Sequence, residues 1–265
     1  MKIDNIIIAS DNNKLYFEFV PYAIKHFKNV FGCNVIFNYI SDVNDLSEEI
    51  KDSCTVINYP TDNTKRISNA VLSKISRLIT ATKLGSETFM IVDVEQFILN
   101  KFVPDAIATA DDNKITEIGG NMYHNTTSQG KTPMGYTSGK GNVFKNIVNP
   151  NDYDYLDLLK TWSDIVDGID GKENITNVPN HFSDESLLRY LIVRSGSEDL
   201  INHISRSGRD FKYDFRLDRH WSDWNNQAEI LDNLKNNYYI DCQPLRPLKE
   251  NMGKMENLLK HLNLK

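Results

Sequence analysis

The chain contains few cysteines. Only three occur among its 265 residues, Cys33, Cys54 and Cys242, and none of them forms a Cys-x-x-Cys pair. An odd number of widely spaced cysteines argues against a disulfide framework and against a structural zinc site. The cysteine pattern therefore favours a protein of a reducing compartment.

Long apolar runs are also missing. The first apolar run, Ile6 to Ala9, is too short for the hydrophobic core of a signal peptide. No segment approaches the roughly 20 consecutive apolar residues that a membrane-spanning helix needs. Together with the cysteines, this predicts a cytoplasmic protein without a transmembrane segment.

The chain has no excess of positive charge. Lysine and arginine total 30 against 36 acidic residues, a formal net charge of −6 at pH 7. Such a balance disfavours a nucleic-acid partner, although a single nucleotide remains compatible with it. With 40% hydrophobic residues, the composition is that of a folded globular protein, and the length fits one large domain.

Strand and helix patterns alternate through the first part of the chain. Short runs of β-branched and aromatic residues predict strands, and apolar residues at helical spacing predict helices. Alternation of this kind predicts an α/β fold with a mostly parallel sheet, in which ligands bind beyond the carboxyl ends of the strands. The predicted strands are 6–9, 34–40, 55–59 and 88–92, and the predicted helices are 15–30, 46–51 and 67–84.

The pattern changes after residue 100. Residues 115–122 and the glycine-rich stretch 135–149 are predicted as strands and loops, and 238–242 as a short strand. Helices are predicted at 154–166, 184–193, 226–236 and 251–264. Gly139-Lys140-Gly141 matches neither the dinucleotide-binding fingerprint nor the Walker pattern, which disfavours dehydrogenase and NTPase functions.

Two carboxylates follow the predicted strand at 88–92. Asp93 and Glu95 are two positions apart, so in an extended chain they point the same way with backbones roughly 6 to 7 Å apart. Such a pair needs a cation nearby, and oxygen ligands select Mg²⁺ or Mn²⁺. The alternative is a solvated strand end, where acidic residues are common.

This region resembles the central section of GT-A glycosyltransferases. Ser76-Arg77-Leu78 in a helix, then an apolar strand, then the acid-x-acid pair are similar to the section whose Asp-x-Asp motif binds a metal and the donor diphosphate. Ser10-Asp11-Asn12 after the first strand is similar to the family's first nucleotide-contacting loop. The resemblance covers residues 4–100 well and the rest loosely, and Glu95 stands where the second Asp is usual.

The resemblance implies a GT-A fold, with a Rossmann-like, mostly parallel sheet flanked by helices. Residues 1–265 would form one domain, with a nucleotide-sugar-binding half (1–100) and an acceptor-binding half (101–265). In its size and composition the sequence resembles small soluble glycosyltransferases of bacteria and large viruses. The implied partners are a nucleotide-sugar donor, best matched by a UDP-sugar, and a glycan acceptor, and the implied cofactor is Mn²⁺ or Mg²⁺.

Roles for individual residues also follow from the resemblance. The donor would contact Ser10, Asp11, Asn12, Tyr59, Arg77 and Asp93, and the metal would be held by Asp93, Glu95 and His220. Arginine suits a diphosphate because its fork pairs two oxygens, and Tyr59 would stack on the base unless it is a buried strand-end tyrosine. Trp221 would form a sugar platform, and the glycine-rich segment Gly135 to Phe144 would wrap the sugar or the acceptor.

His181-Phe182-Ser183-Asp184-Glu185 resembles the segment that carries the catalytic base of inverting members. Asp184, or else Glu185, would take the proton of the acceptor hydroxyl. The alternative is that both are first-turn acids that favour the helix dipole.

Two other functions stay open. The chain could be a catalytically silent glycan-binding or scaffold module with the same fold, because fold does not imply function. A sugar nucleotidyltransferase is disfavoured, since Ser10-Asp11-Asn12-Asn13 replaces the glycine-rich basic loop of that group.

Overall fold

The structure, a computed structural model, describes residues 1–43, 45–62, 67–119, 132–169, 183–205, 216–220 and 222–261. The strands are β1 (Asn5–Asp11), β2 (Asn34–Ile40), β3 (Thr55–Tyr59), β4 (Thr88–Ile91), β5 (Phe97–Ile98), β6 (Ile115–Ile118), β7 (Thr137–Lys140), β8 (Ile201–Ile204), β9 (Arg216–Leu217) and β10 (Asp241–Cys242). The helices are α1 (Lys14–Phe17), α2 (Val20–Phe31), α3 (Glu48–Ser53), α4 (Asn69–Thr82), α5 (Phe102–Ala108), α6 (Gly141–Val148), α7 (Tyr155–Ile169), α8 (Ser183–Ser195), α9 (Gln227–Lys235) and α10 (Leu248–Lys260).

Among the described residues, seven strands form the main sheet, in the order β3-β2-β1-β4-β7-β6-β8. All neighbouring pairs are parallel except those made by β7, which is antiparallel to both β4 and β6. Apolar side chains cover both faces: Ile6 and Ile8 of β1 belong to one core and Ile7 to the other. The predicted α/β fold, with a mostly parallel sheet flanked by helices, is confirmed.

Helix α4 places a polar row against the sheet. Its first turn is capped by Ser68, whose side chain accepts a hydrogen bond from the Val71 amide. Deeper in, the Asn38 side chain of β2 bonds to both Ser76 and Thr80 of α4. These buried polar contacts fix the rotation of α4 about its axis, which directs Arg77 toward the end of β4.

A second, three-stranded sheet has the order β5-β10-β9. β10 is antiparallel to β5 and parallel to β9. Because β5 follows β4 after a five-residue connection, this small sheet brings the late strands β9 and β10 beside the carboxyl end of the main sheet.

Two predicted elements differ in the structure. The helix expected over 15–30 is divided into α1 and α2, because Pro21 at the start of α2 lacks an N–H and favours a helix beginning. The stretch 135–149 contains α6 after β7, with Phe144, Ile147 and Val148 buried at helical spacing. Gly141 is required there, since a Cβ would lie 2.9 Å from the Ala81 carbonyl oxygen and the Gly85 nitrogen.

Within the described ranges, no helix combines the length and the apolar character that crossing a membrane requires.

Candidate functional site

A cavity of about 560 Å³ lies where β1 and β4 end, a volume typical of sites for small molecules. It is bounded by residues from both ends of the chain, beginning at Ala9 and ending at Arg246. The predicted site residues that line it are Ser10, Asp11, Arg77, Asp93, Glu95, Asp184, Glu185 and His220. The fold therefore gathers most of the candidates into one place.

Two candidates do not line the cavity. Asn12 does not line the cavity, but its neighbour Asn13 does. The Asn13 side chain caps α1 by accepting a hydrogen bond from Leu15 N at 3.1 Å. Tyr59 is a buried tyrosine at the end of its strand, which was the alternative to stacking on the base of the donor. It is 3% exposed, its hydroxyl lies 2.8 Å from the Thr80 hydroxyl, and its ring packs on Tyr155.

Arg77 joins two of the predicted acids. Its Nη1 donates to Asp93 Oδ1 at 2.7 Å and to the Val92 carbonyl at 3.0 Å, and its Nη2 donates to Asp184 Oδ2 at 2.8 Å. The Arg77 and Asp184 side chains are buried, while Asp93 stays 38% exposed at the cavity. Asp184 is thus engaged by a guanidinium rather than presented to a ligand.

The Arg77 cluster is charged. Burial acts to raise the pKa of the Asp93 carboxyl, but the charge and hydrogen bond of Arg77 outweigh burial, and the resulting pKa is lowered. Burial likewise acts to lower the pKa of the Arg77 guanidinium, and the two aspartates reverse this and raise it. One cation therefore stands between two carboxylates, which fixes all three side chains.

Glu95 is paired with two arginines. Its Oε1 accepts a hydrogen bond from Arg219 Nη2 at 2.8 Å and another from Arg246 Nη2. The Glu95 side chain is only 10% exposed. Arg246 also lies over the ring of Tyr16, with its guanidinium carbon 4.0 Å from the ring centroid. Two cations thus converge on one carboxylate oxygen.

The predicted metal ligands Asp93, Glu95 and His220 all line the cavity. Among the described residues, no group of three or more His, Cys, Asp or Glu side chains is arranged to hold a metal ion. His220 lines the cavity but is exposed, and Asp93 and Glu95 are each bonded to arginine. The carboxylate pair does have cations beside it, but these are guanidinium groups.

Asp241 anchors a second wall of the cavity. It is fully buried in β10 and accepts hydrogen bonds from Gln96 Nε2 at 2.7 Å and Tyr136 Oη at 2.8 Å. Arg216 of β9 completes a bidentate ion pair with it, at 2.9 and 3.2 Å. Because Arg216 lines the cavity, this network holds a further cation at the site.

The glycine-rich segment contributes only its beginning. Pro133, Met134, Gly135 and Tyr136 line the cavity, and a Cβ at Gly135 would lie 2.9 Å from Gln96 Oε1. Gly139 and Gly141 instead allow close packing within the fold. His181 and Trp221, the predicted neighbours of the base and the predicted sugar platform, lie outside the described residues.

Sequence reasoning assigned no role to Arg216, Arg219, Arg246 or Asp241. Arg216 and Arg219 flank Asp218 at a spacing of three, which was a weak signal for a basic cluster. Arg246 carried no such signal, since its partner Glu95 is 151 positions away.

No protein-family model and no curated protein sequence matches the chain. Solved structures share its fold. The galactosyltransferase LgtC, in complex with donor and acceptor sugar analogues, superposes with a TM-score of 0.50 at 11% identity, covering 98% of this chain and 96% of LgtC. The glycosyltransferase GlyE of Streptococcus pneumoniae TIGR4 gives 0.52 at 12% identity, covering 99% of this chain. The chain spans 63% of the length of GlyE, and both likenesses show the fold.

Proposed function

We propose that this chain is a glycosyltransferase that binds a nucleoside diphosphate sugar in the cavity and transfers the sugar to a hydroxyl group of a glycan acceptor. The observation that carries the proposal is the concentration of arginine there. Of the six arginines among the described residues, four line one cavity, although the net charge of the chain is −6. Guanidinium groups at the carboxyl ends of parallel strands suit a diphosphate.

The nucleotide would lie against the end of β1. Ser10 and Asp11 line the cavity, and the Asp11 carboxylate can accept hydrogen bonds from a ribose or from the N–H of uracil. This supports the assignment of a uridine-linked donor. Asp11 is held by its contact with the Asn13 amide, which donates to Oδ1 at 3.1 Å.

Glu185 is the better of the two candidate bases. Both residues line the cavity, but Asp184 is buried and bonded to Arg77, whereas Glu185 is half-buried at the start of α8. In an inverting transfer, Glu185 would take the proton of the acceptor hydroxyl as that oxygen attacks opposite the leaving diphosphate. Asp184 would act by positioning Arg77. Asp93 and Glu95 are each bonded to arginine, so the steps assigned here are those of the chain's own side chains.

Calorimetric titration with the diphosphates of uridine, guanosine and cytidine tests the donor assignment. We expect UDP to bind most tightly, and Asp11→Ala to weaken UDP binding by roughly tenfold or more, the value of one charge-assisted hydrogen bond. Asp105→Ala, an exposed residue of α5 away from the cavity, should leave the affinity unchanged. Absence of binding to every nucleoside diphosphate would contradict the proposal, and binding without sugar transfer would favour a silent module.

A further inference from the structure

We propose that Arg219 and Arg246, held in place by Glu95, bind the donor diphosphate where a divalent metal would otherwise lie, so that donor binding needs no metal ion. This inference rests on the proposed function, and it changes the role of the acid-x-acid pair. In this view Glu95 is a positioning residue for two arginines and not a metal ligand.

The charge balance at Glu95 favours an anion. Both guanidinium groups bond to the single oxygen Oε1, so two positive charges face one negative charge. The Arg219 side chain is nine-tenths buried, and little water is available there to stabilise the excess charge. A phosphate group in the cavity would supply the missing negative charge.

Unused donors point to the same conclusion. Arg219 Nη1 and Arg246 Nε are covered from solvent, and within the described part of the chain neither has a hydrogen-bond partner. Covered donors without partners are destabilising, and they become favourable once an acceptor oxygen arrives. Both arginines line the cavity, so these N–H groups belong to side chains that border the space a diphosphate would occupy.

The arginines are also preorganised. Arg246 is clamped between the Tyr16 ring, 4.0 Å from its guanidinium carbon, and the Glu95 carboxylate. A cation that is already desolvated and oriented loses little entropy when it meets its ligand.

A metal ion would meet obstacles at the same place. To reach Glu95 Oε1 it would have to displace two guanidinium groups, and to reach Asp93 Oδ1 it would have to displace Arg77. Any ion bound beside the remaining arginines would also be repelled by their charge. The arginines therefore compete with a metal ion for the carboxylate oxygens Asp93 Oδ1 and Glu95 Oε1.

The first test compares UDP binding to the wild-type protein in EDTA and in Mn²⁺. We expect dissociation constants that agree within about twofold, since no metal takes part. Binding that appears only with Mn²⁺, or tightens by roughly tenfold or more, would overturn the inference while leaving the proposed function in place. No binding in either condition would instead remove the proposed function, and the inference with it.

The second test uses Glu95→Gln, for which the two mechanisms predict opposite signs. Gln keeps an amide oxygen that can hold both arginines in place but removes the negative charge that competes with the phosphates, so we expect UDP to bind several-fold tighter in EDTA. A metal ligand at this position would instead give weaker binding and loss of any Mn²⁺ effect. Glu48→Gln, which changes an exposed carboxylate of α3 paired with Lys51, is the matched control. Thermal unfolding of each variant confirms that it is folded.

If Glu95→Gln does not fold, the second test uses the variant Arg246→Gln. We expect this variant to weaken UDP binding by roughly tenfold while leaving uridine binding unchanged, because only the diphosphate contact is lost. Arg194→Gln, at an exposed position of α8, serves as its control. Equal UDP affinity in Arg246→Gln and the wild type would overturn the inference.

Discussion

At the residue scale, Asp184 and Glu185 are adjacent in sequence but have different surroundings. Asp184 is buried and its Oδ2 lies 2.8 Å from Arg77 Nη2, whereas Glu185 is half-buried and lines the cavity. The first side chain belongs to a buried ion pair, and the second is the more exposed of the two at the cavity. Isosteric amides at the two positions therefore separate structural from catalytic roles.

We expect Asp184→Asn to lower the free energy of unfolding by about 3 kcal/mol, since it removes one partner of a buried ion pair. Glu185→Gln should barely change stability but should lower turnover by about a hundredfold with unchanged donor affinity, as for a group that acts in the transition state. Urea denaturation and steady-state kinetics measure both effects. Full turnover in Glu185→Gln, or a product with the donor's own anomeric configuration by proton NMR, would remove the base role.

The same residues show how far sequence reasoning extends. The spacing of Asp93 and Glu95, and the placement of Arg77 on a helix before that strand, indicated a charged site at one edge of the sheet. Which cation meets each carboxylate was not predictable, because Arg219 and Arg246 approach Glu95 from 124 and 151 positions away. Pairings over such distances depend on tertiary packing rather than on local pattern.

At the scale of elements, the contact between α2 and β5 depends on a buried histidine. His26 Nε2 accepts a hydrogen bond from the Ile98 amide at 3.0 Å, and its ring packs against Phe27 and Phe97. Burial lowers the pKa of His26 from its ordinary 6.5 to about 4. The neutral ring is therefore the form that joins the two elements.

This predicts a specific loss of stability in acid. Between pH 6.5 and about pH 4 the unfolded chain binds a proton at His26 that the folded chain excludes, so the free energy of unfolding falls as the pH is lowered. From the size of the pKa change we expect a loss of about 3 kcal/mol across that window. His26→Gln retains an acceptor for Ile98 but does not titrate, so its unfolding energy should depend less on pH. Equal slopes for the two proteins in urea denaturation would contradict this.

Element prediction succeeded where the apolar period was long and undisturbed. β1, β2 and α4 lie close to their predicted ranges because each buries a regular apolar pattern. β3 also has its predicted range, although only Tyr59 of this strand is buried. The two-residue strands β5, β9 and β10 were harder, since each exists only through pairing with strands distant in sequence. α6 was obscured by three glycines in the stretch that contains it.

At the scale of the whole molecule, the predicted halves 1–100 and 101–265 share one sheet. β4 of the first half pairs with β7 of the second half, with Thr88 opposite Lys140 and Ile91 opposite Thr137. The cavity likewise draws Ser10 and Arg77 from the first half, and Arg216 and Arg246 from the second. We therefore expect the chain to unfold as one cooperative unit.

Differential scanning calorimetry with UDP tests this expectation. A ligand at a hundred times its dissociation constant stabilises the folded state by about 2.7 kcal/mol, which for a chain of this size raises the melting temperature by about 5 to 10 °C. Because the ligand would contact both halves, the whole transition should move as a single peak, while uridine without phosphates should move it less. Two separate peaks, of which UDP shifts only one, would show that the halves unfold independently and that only one of them holds the diphosphate.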